Sequence, residues 1–208
     1  MGMRKLILPV MLLAGLICRP VCGTTPDLKE ALDYLRSRTA GVATIASDFV
    51  QEKYLAAFND KVVAHGRFYY ARADRLRWEL TAPVTTGFVL NGQKGRRWND
   101  RQAKPEPFDI RQEPMLKIIA GQLLAWARAD FEQLDDIFDI ALVNRQPVCL
   151  RLSPREAGKA GPVDSLTILF ADDGAHVQQV EIFEKGGDKT LIRFENTLIN
   201  SKLAEGLF

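Results

Sequence analysis

The chain has little with which to do covalent chemistry. Its 208 residues include three cysteines and two histidines. Cys18 and Cys22 fall in a leader-like N-terminus, which leaves Cys149. One thiol cannot form an internal disulfide, so the fold must rest on its core. His65 and His176 are far apart, and neither sits in a ligand-like cluster. No HExxH or CxxC spacing marks a metal site, no GxSxG elbow marks an acyl-transfer site, and no glycine-rich loop marks a phosphate site. These gaps predict no catalytic residues, no metal and no cofactor. Charge of one sign is also scarce: 28 basic residues face 26 acidic ones, a formal +2. There is no block of like charge and no electrostatic case for nucleic acid.

Long apolar runs are missing except at the start. Arg4 and Lys5 precede twelve apolar residues, 6–17, interrupted only by Pro9, and a small-residue region ends at Val21-Cys22-Gly23. That length suits a secretory leader and is short for a bilayer span. The expectation is a signal peptide over 1–23 and one domain over 24–208, monomeric and periplasmic. An uncleaved anchor is one alternative. A lipoprotein is another, but bulky Ile17 and Val21 precede the two cysteines where lipidation needs a small residue. Loss of Arg4, Lys5 and Arg19 with the leader brings the formal charge to −1. About 185 residues remain, enough for a sizeable core.

What is present is β-alternation. After a helix over 25–38, with Thr25-Pro26 as its start and Leu28, Ala31, Leu32 and Leu35 on one face, the pattern turns to strands. These are expected over 45–55, 62–70, 75–80, 88–91 and 96–99. Residues 105–114, with three prolines, read as a loop. Helical spacing returns over 115–127 with Leu116, Ile119, Leu123 and Trp126, and a short helical piece is expected through Phe131 and Leu134. Strands resume over 137–143, 148–152, 165–170, 177–183 and 190–195. Connections such as Asn59-Asp60, Asn91-Gly92 and 185–188 are hairpin-like, so pairing is antiparallel. The fold class is mainly β (α+β), a large antiparallel sheet whose apolar face is covered by curling or by helices.

The stretch 66–92 places Phe68, Tyr70, Leu76, Trp78, Phe88 and Leu90 on successive strands. They can line an open apolar cavity or fill an ordinary core, and composition does not separate the two. Arg72 beside a turn is either a surface arginine or a fork of donors held over a cavity mouth. The apolar face of 116–126 suits core packing or a lid. Cys149 in a strand is expected to be inert. Glu184, Asp188 and Thr190 flank a Gly-Gly turn, where a weak cation site is conceivable.

The ordered residues Phe49-x-Gln51, Gly66-x-Phe68, Arg72, Leu76-x-Trp78, Pro83, Val89-x-Asn91-Gly92 and Trp98-Asn99 resemble the LolA family of periplasmic lipoprotein carriers. The later Glu184, Gly187-Asp188, Thr190 and Phe194 resemble a LolA-like subgroup. Ala73 departs from the family, standing where its best-known carriers have proline. The resemblance implies an incomplete antiparallel β-barrel with helices as a lid over a hydrophobic cavity. It implies a cavity wall of Phe49, Phe68, Tyr70, Leu76, Trp78, Phe88 and Leu90. It implies a lid bearing Leu28, Leu32, Leu116, Ile119 and Leu123, latched by Arg72. The partners it implies are lipoprotein acyl chains or another lipid, an inner-membrane transporter and an outer-membrane acceptor. A sensor module of the same fold, and a carrier of a glycolipid or other acylated product, stand as alternatives.

Overall fold

A computed structural model describes residues 25–57, 60–101, 104–131, 134, 137–156 and 160–208. The expected leader at 1–23 and the Asn59 half of the expected first hairpin lie outside the described residues. Helix α1 runs Thr25–Thr39, and eleven strands surround a second helix. In chain order they are β1 (Thr44–Leu55), β2 (Asp60–Ala71), β3 (Arg75–Ala82), β4 (Thr86–Asn91), β5 (Lys94–Asn99) and β6 (Glu106–Asp109). Helix α2 (Pro114–Arg128) follows, then β7 (Phe138–Arg145), β8 (Val148–Pro154), β9 (Val163–Phe170), β10 (Val177–Glu184) and β11 (Lys189–Ile199).

All eleven strands form one antiparallel sheet, in the order β6-β5-β4-β3-β2-β1-β11-β10-β9-β8-β7. Each neighbouring pair is consecutive in the chain except β1–β11, which joins the two ends of the chain and sets Phe49 opposite Phe194. The edges β6 and β7 do not pair. Phe108 of β6 and Phe138 of β7 nevertheless enter the same core, so the sheet curls into an incomplete barrel. Both helices cover its concave side: α1 packs on β7, and α2 packs on the interior beside α1.

Alternation sets the inward face. Ile45, Ser47 and Phe49 of β1 are buried, as are Ala64, Gly66, Phe68 and Tyr70 of β2. Gly66 must be glycine, because a Cβ there would collide with the Phe49 ring and the Glu79 carbonyl. The ring of Phe108 occupies the space a side chain on Gly95 would need.

That contact corrects one expectation. Residues 105–114 are not all loop, since Glu106–Asp109 pairs with β5 and sets Phe108 opposite Gly95. Pro107 is tolerated because β6 is a short edge strand. A 3-10 turn over Ile110–Gln112 follows, with the Asp109 carboxylate accepting from the Arg111 amide at 3.0 Å. The piece through Phe131 and Leu134 is only partly described. Both side chains are buried, and Phe131 meets Phe170 edge-on at 6.0 Å.

Candidate functional site: an apolar groove under the lid helix

The interior under α2 is filled by rings. Phe49 stacks on Trp78 with centroids 4.0 Å apart, and Phe194 meets Phe49, Phe68 and Trp78 edge-on at 6.1, 5.8 and 6.3 Å. Offset and edge-on pairs of this kind add about 0.5–1.5 kcal/mol each beyond their area. Tyr70, Leu76, Phe88 and Leu90 are buried around them. The partly open cavity that remains, between Ile45, Phe68 and Phe194 of the sheet and Leu123 and Trp126 of α2, is only about 20 Å³. That is room for about one water.

Next to it the structure opens. A groove of about 410 Å³ runs between β3–β5 and the N-terminal half of α2. Trp78, Leu80 and Phe88 form its floor side, and Leu116 and Ile119 form its helix side. Trp78 therefore belongs to both the ring cluster and the groove. Ile118 and Ile119 are 41% and 44% exposed, and Val84, beyond β3, is 44% exposed. Of these three Ile119 lines the groove, and a largely apolar concavity of this size marks a place of contact. The rim is polar. The Arg97 guanidinium holds both Glu106 oxygens, at 3.0 and 3.1 Å, and faces Glu113 at 3.1 Å.

The structure thus brings part of the expected wall and lid together. Trp78, Phe88, Leu116 and Ile119 meet in the groove, whereas Phe68 and Leu123 line the small cavity beside it. Leu28 and Leu32 are half-buried on α1, outside both.

Arg72 is exposed and donates from Nη2 to the Ala40 carbonyl at 2.8 Å, just past the end of α1. Asn200 holds the same turn: its Oδ1 accepts from Ala43 at 2.7 Å and its Nδ2 donates to Gly41 at 3.0 Å. The contact between the β2–β3 turn and α2 is made by a different arginine. Arg128, in the last turn of α2, donates to the Ala73 carbonyl and to Asp74 Oδ1, the latter at 2.5 Å. The Arg128 guanidinium also lies 6.0 Å from the Tyr70 ring centroid. The Thr39 hydroxyl donates to the Arg128 carbonyl at 3.0 Å, so both helix ends meet there.

Arg97, Glu113 and Arg128 were not singled out from the sequence, Leu80 was read only as sharing a strand face with Leu76 and Trp78, and Phe194 was read only as part of a motif. Phe194 had a signal, the alternation of β11 facing Phe49. The arginines had none, because their partners lie far away in sequence.

Three buried polar atoms have no protein partner among the described residues: Tyr70 Oη, Trp126 Nε1 and His176 Nδ1. Burial pushes the His176 imidazole below its usual pKa, against a smaller upward pull from Asp173. Burial pushes the Cys149 thiol up, with Glu181 adding to the rise, which keeps it protonated and a poor nucleophile. At the β10–β11 hairpin Lys53 reaches Glu184 at 3.0 Å and Asp188 at 3.7 Å. A lysine ammonium therefore sits where a weak cation site was conceivable, and Asp188 also accepts from the Ala56 amide.

A curled antiparallel sheet, open between two edge strands and covered by helices that leave an apolar groove, is the fold of a lipid- or lipoprotein-binding carrier. Residues 40–208 match the family described as outer membrane lipoprotein carrier protein LolA, and the chain belongs to that family. Among solved structures, an uncharacterized conserved protein from Thermus thermophilus is similar at a TM-score of 0.53 and 11% identity, over 86% of this chain and 90% of that one. The MucA/MucB complex of Pseudomonas aeruginosa matches at 0.50 and 15% identity, over 86% of this chain and 59% of that one. A LolA superfamily protein from Nitrosomonas europaea matches at 0.44 and 8% identity, over 84% of this chain and 94% of that one. Identities this low speak for the fold alone. No curated protein matches the chain by sequence. Among the described residues, no helix is long and apolar enough to cross a membrane.

Proposed function

We propose that residues 24–208 form an exported periplasmic carrier that covers the acyl chains of lipoproteins or a related lipid between the inner and outer membranes. The groove of about 410 Å³ lined by Trp78, Leu80, Phe88, Leu116 and Ile119 carries this reading. It is large enough for part of an acyl chain and too apolar to be left to water. Each CH₂ taken from water contributes about 0.8 kcal/mol, so a chain crossing an aqueous compartment needs such cover. Transport then consists of binding and release, with no bond made or broken. A donor transporter in the inner membrane and an acceptor at the outer membrane complete the scheme.

The filled interior sets how loading proceeds. A chain longer than the groove has to enter where Phe49, Phe68, Trp78 and Phe194 now touch, which requires α2 to lift or the rings to turn. The test is transfer of a fluorescent acylated peptide from donor to acceptor vesicles. Transfer should rise with protein concentration, and native mass spectrometry of protein taken from its own periplasm should show bound lipid. No transfer together with no bound lipid sinks the proposal.

The small size of the cavity under α2 favours a second reading, a module of the same fold that binds a protein partner without moving lipid. MucB, a structural relative, has been solved in complex with MucA. Such a module would co-purify with a protein and leave the transfer assay at background. If lipid is bound but lipoproteins are not moved, the cargo is a glycolipid or another acylated product.

A further inference from the structure

We propose that Arg97 is the headgroup-selecting residue of the groove, and that it favours an anionic headgroup by exchanging Glu113 for it. This rests on the reading of the groove as an acyl-chain site. The guanidinium lies on the groove wall, with Glu113 and Asn99 beside it. Glu106 grips one edge of it in a bidentate pair through Nε and Nη2, which fixes the plane. The remaining Nη1 is left to Glu113 Oε2 at 3.1 Å. The two pairs differ in kind. The forked pair is geometrically specific, whereas Glu113 makes a single contact between side chains that are 38% and 33% exposed. Half-exposed single pairs contribute about 0–1 kcal/mol, so an anion arriving with an acyl chain can replace Glu113 at little cost.

Glu113 is placed so that its release matters. It is the residue at the N-cap of α2, its side chain makes no capping hydrogen bond, and its carbonyl accepts the Lys117 amide that begins the helix. The Glu113 carboxylate thus ties the open end of the lid helix to β5. An anion on Arg97 Nη1 frees that end while the acyl chain occupies the space between Trp78 and Ile119. Headgroup recognition and lid release become one exchange, and a neutral headgroup offers nothing to trade for Glu113.

The experiment compares lysophosphatidylglycerol with a monoacylglycerol of the same chain, each displacing a fluorescent fatty-acid analogue from the protein lacking residues 1–23. The wild type should prefer the anionic lipid by roughly three- to fivefold at low salt, less at high salt. Arg97→Gln should abolish the preference between the two lipids, even though freeing Glu113 shifts the affinity for both, and Arg97→Lys should restore part of it. Glu113→Gln should widen the preference for the anionic lipid, since it unmasks Nη1 and removes a competing carboxylate. Equal binding of both lipids by the wild type overturns the inference and leaves the carrier reading intact, as does an unchanged preference in Arg97→Gln or in Glu113→Gln. Binding of neither lipid overturns the carrier reading itself.

Discussion

The two halves of α2 share one helix and differ in almost everything else. Toward the C-terminus Leu123, Ala125, Trp126 and Ala127 are buried on a filled interior, and Arg128 fastens the end to Asp74 and Ala73. Toward the N-terminus Ile118 and Ile119 are open to solvent, Leu116 and Ile119 face a groove, and Glu113 makes the end contact with Arg97. A lid must be held somewhere and free somewhere else. If α2 opens as a lid, the difference puts its hinge at the C-terminal half and its opening at the N-terminal half. Low-stability segments are those with few buried apolar contacts, which describes residues 116–119 and not 123–127.

The largest expected effect breaks the closed half. Trp126→Ala removes a ring that is 5% exposed and leaves a void against Phe68 and Leu123. Truncations of this kind cost about 3–5 kcal/mol. Urea unfolding should show a midpoint far below wild type. Ile119→Ala, in the same helix, should stay within about 0.5 kcal/mol, as expected for an exposed position. Equal losses at the two positions would erase the distinction between the halves.

The next effect concerns the fastening. Arg128→Ala removes the donors to Ala73 and Asp74 and the cation over Tyr70. Because Asp74 is half exposed, the cost should be only about 1 kcal/mol in global stability. Amide exchange should quicken along the last turns of α2, and lipid exchange should quicken with it. Arg72→Leu frees the Ala40 carbonyl at the end of α1 instead, so its exchange effect should centre on 39–43. If Arg72→Leu loosens α2 more than Arg128→Ala does, the assignment of the two arginines is reversed.

These arginines show where sequence reading stops. The strands were legible because alternation has a period of two and a buried face. Phe68, Tyr70, Leu76, Trp78, Phe88 and Leu90 announced themselves that way. β6 was not legible: in four residues with a proline, only Phe108 is buried, and its partner Gly95 has no side chain to signal the pairing. Whether the rings line a space or fill it depends on rotamers and on how closely α2 settles, which no pattern encodes. Nothing in the sequence sets Arg97 and Arg128 apart from the other arginines. Their partners become visible only when β6 lies beside β5 and α2 crosses the β2–β3 turn.

The smallest effect sharpens the comparison from beneath the hinge. His176 lines the small cavity with Leu123 and Trp126, and its Nδ1 has no partner among the described residues. Burial lowers its pKa, so the folded protein holds it neutral to a lower pH than the unfolded chain does. The unfolded imidazole takes its proton near the usual value of about 6.5. Between that value and the folded pKa the unfolded state binds more protons, and stability rises with pH there. The contribution is therefore full above about pH 6.5 and is lost as pH falls through the folded pKa. Chemical denaturation at a series of pH values should show this slope in the wild type and a shallower one in His176→Gln. Charging His176 presses on Trp126 from below, so acid should quicken amide exchange in the C-terminal half of α2. The less buried N-terminal half should exchange fast at every pH and so change least. A pH response confined to the groove end would place the hinge at the wrong end of the helix.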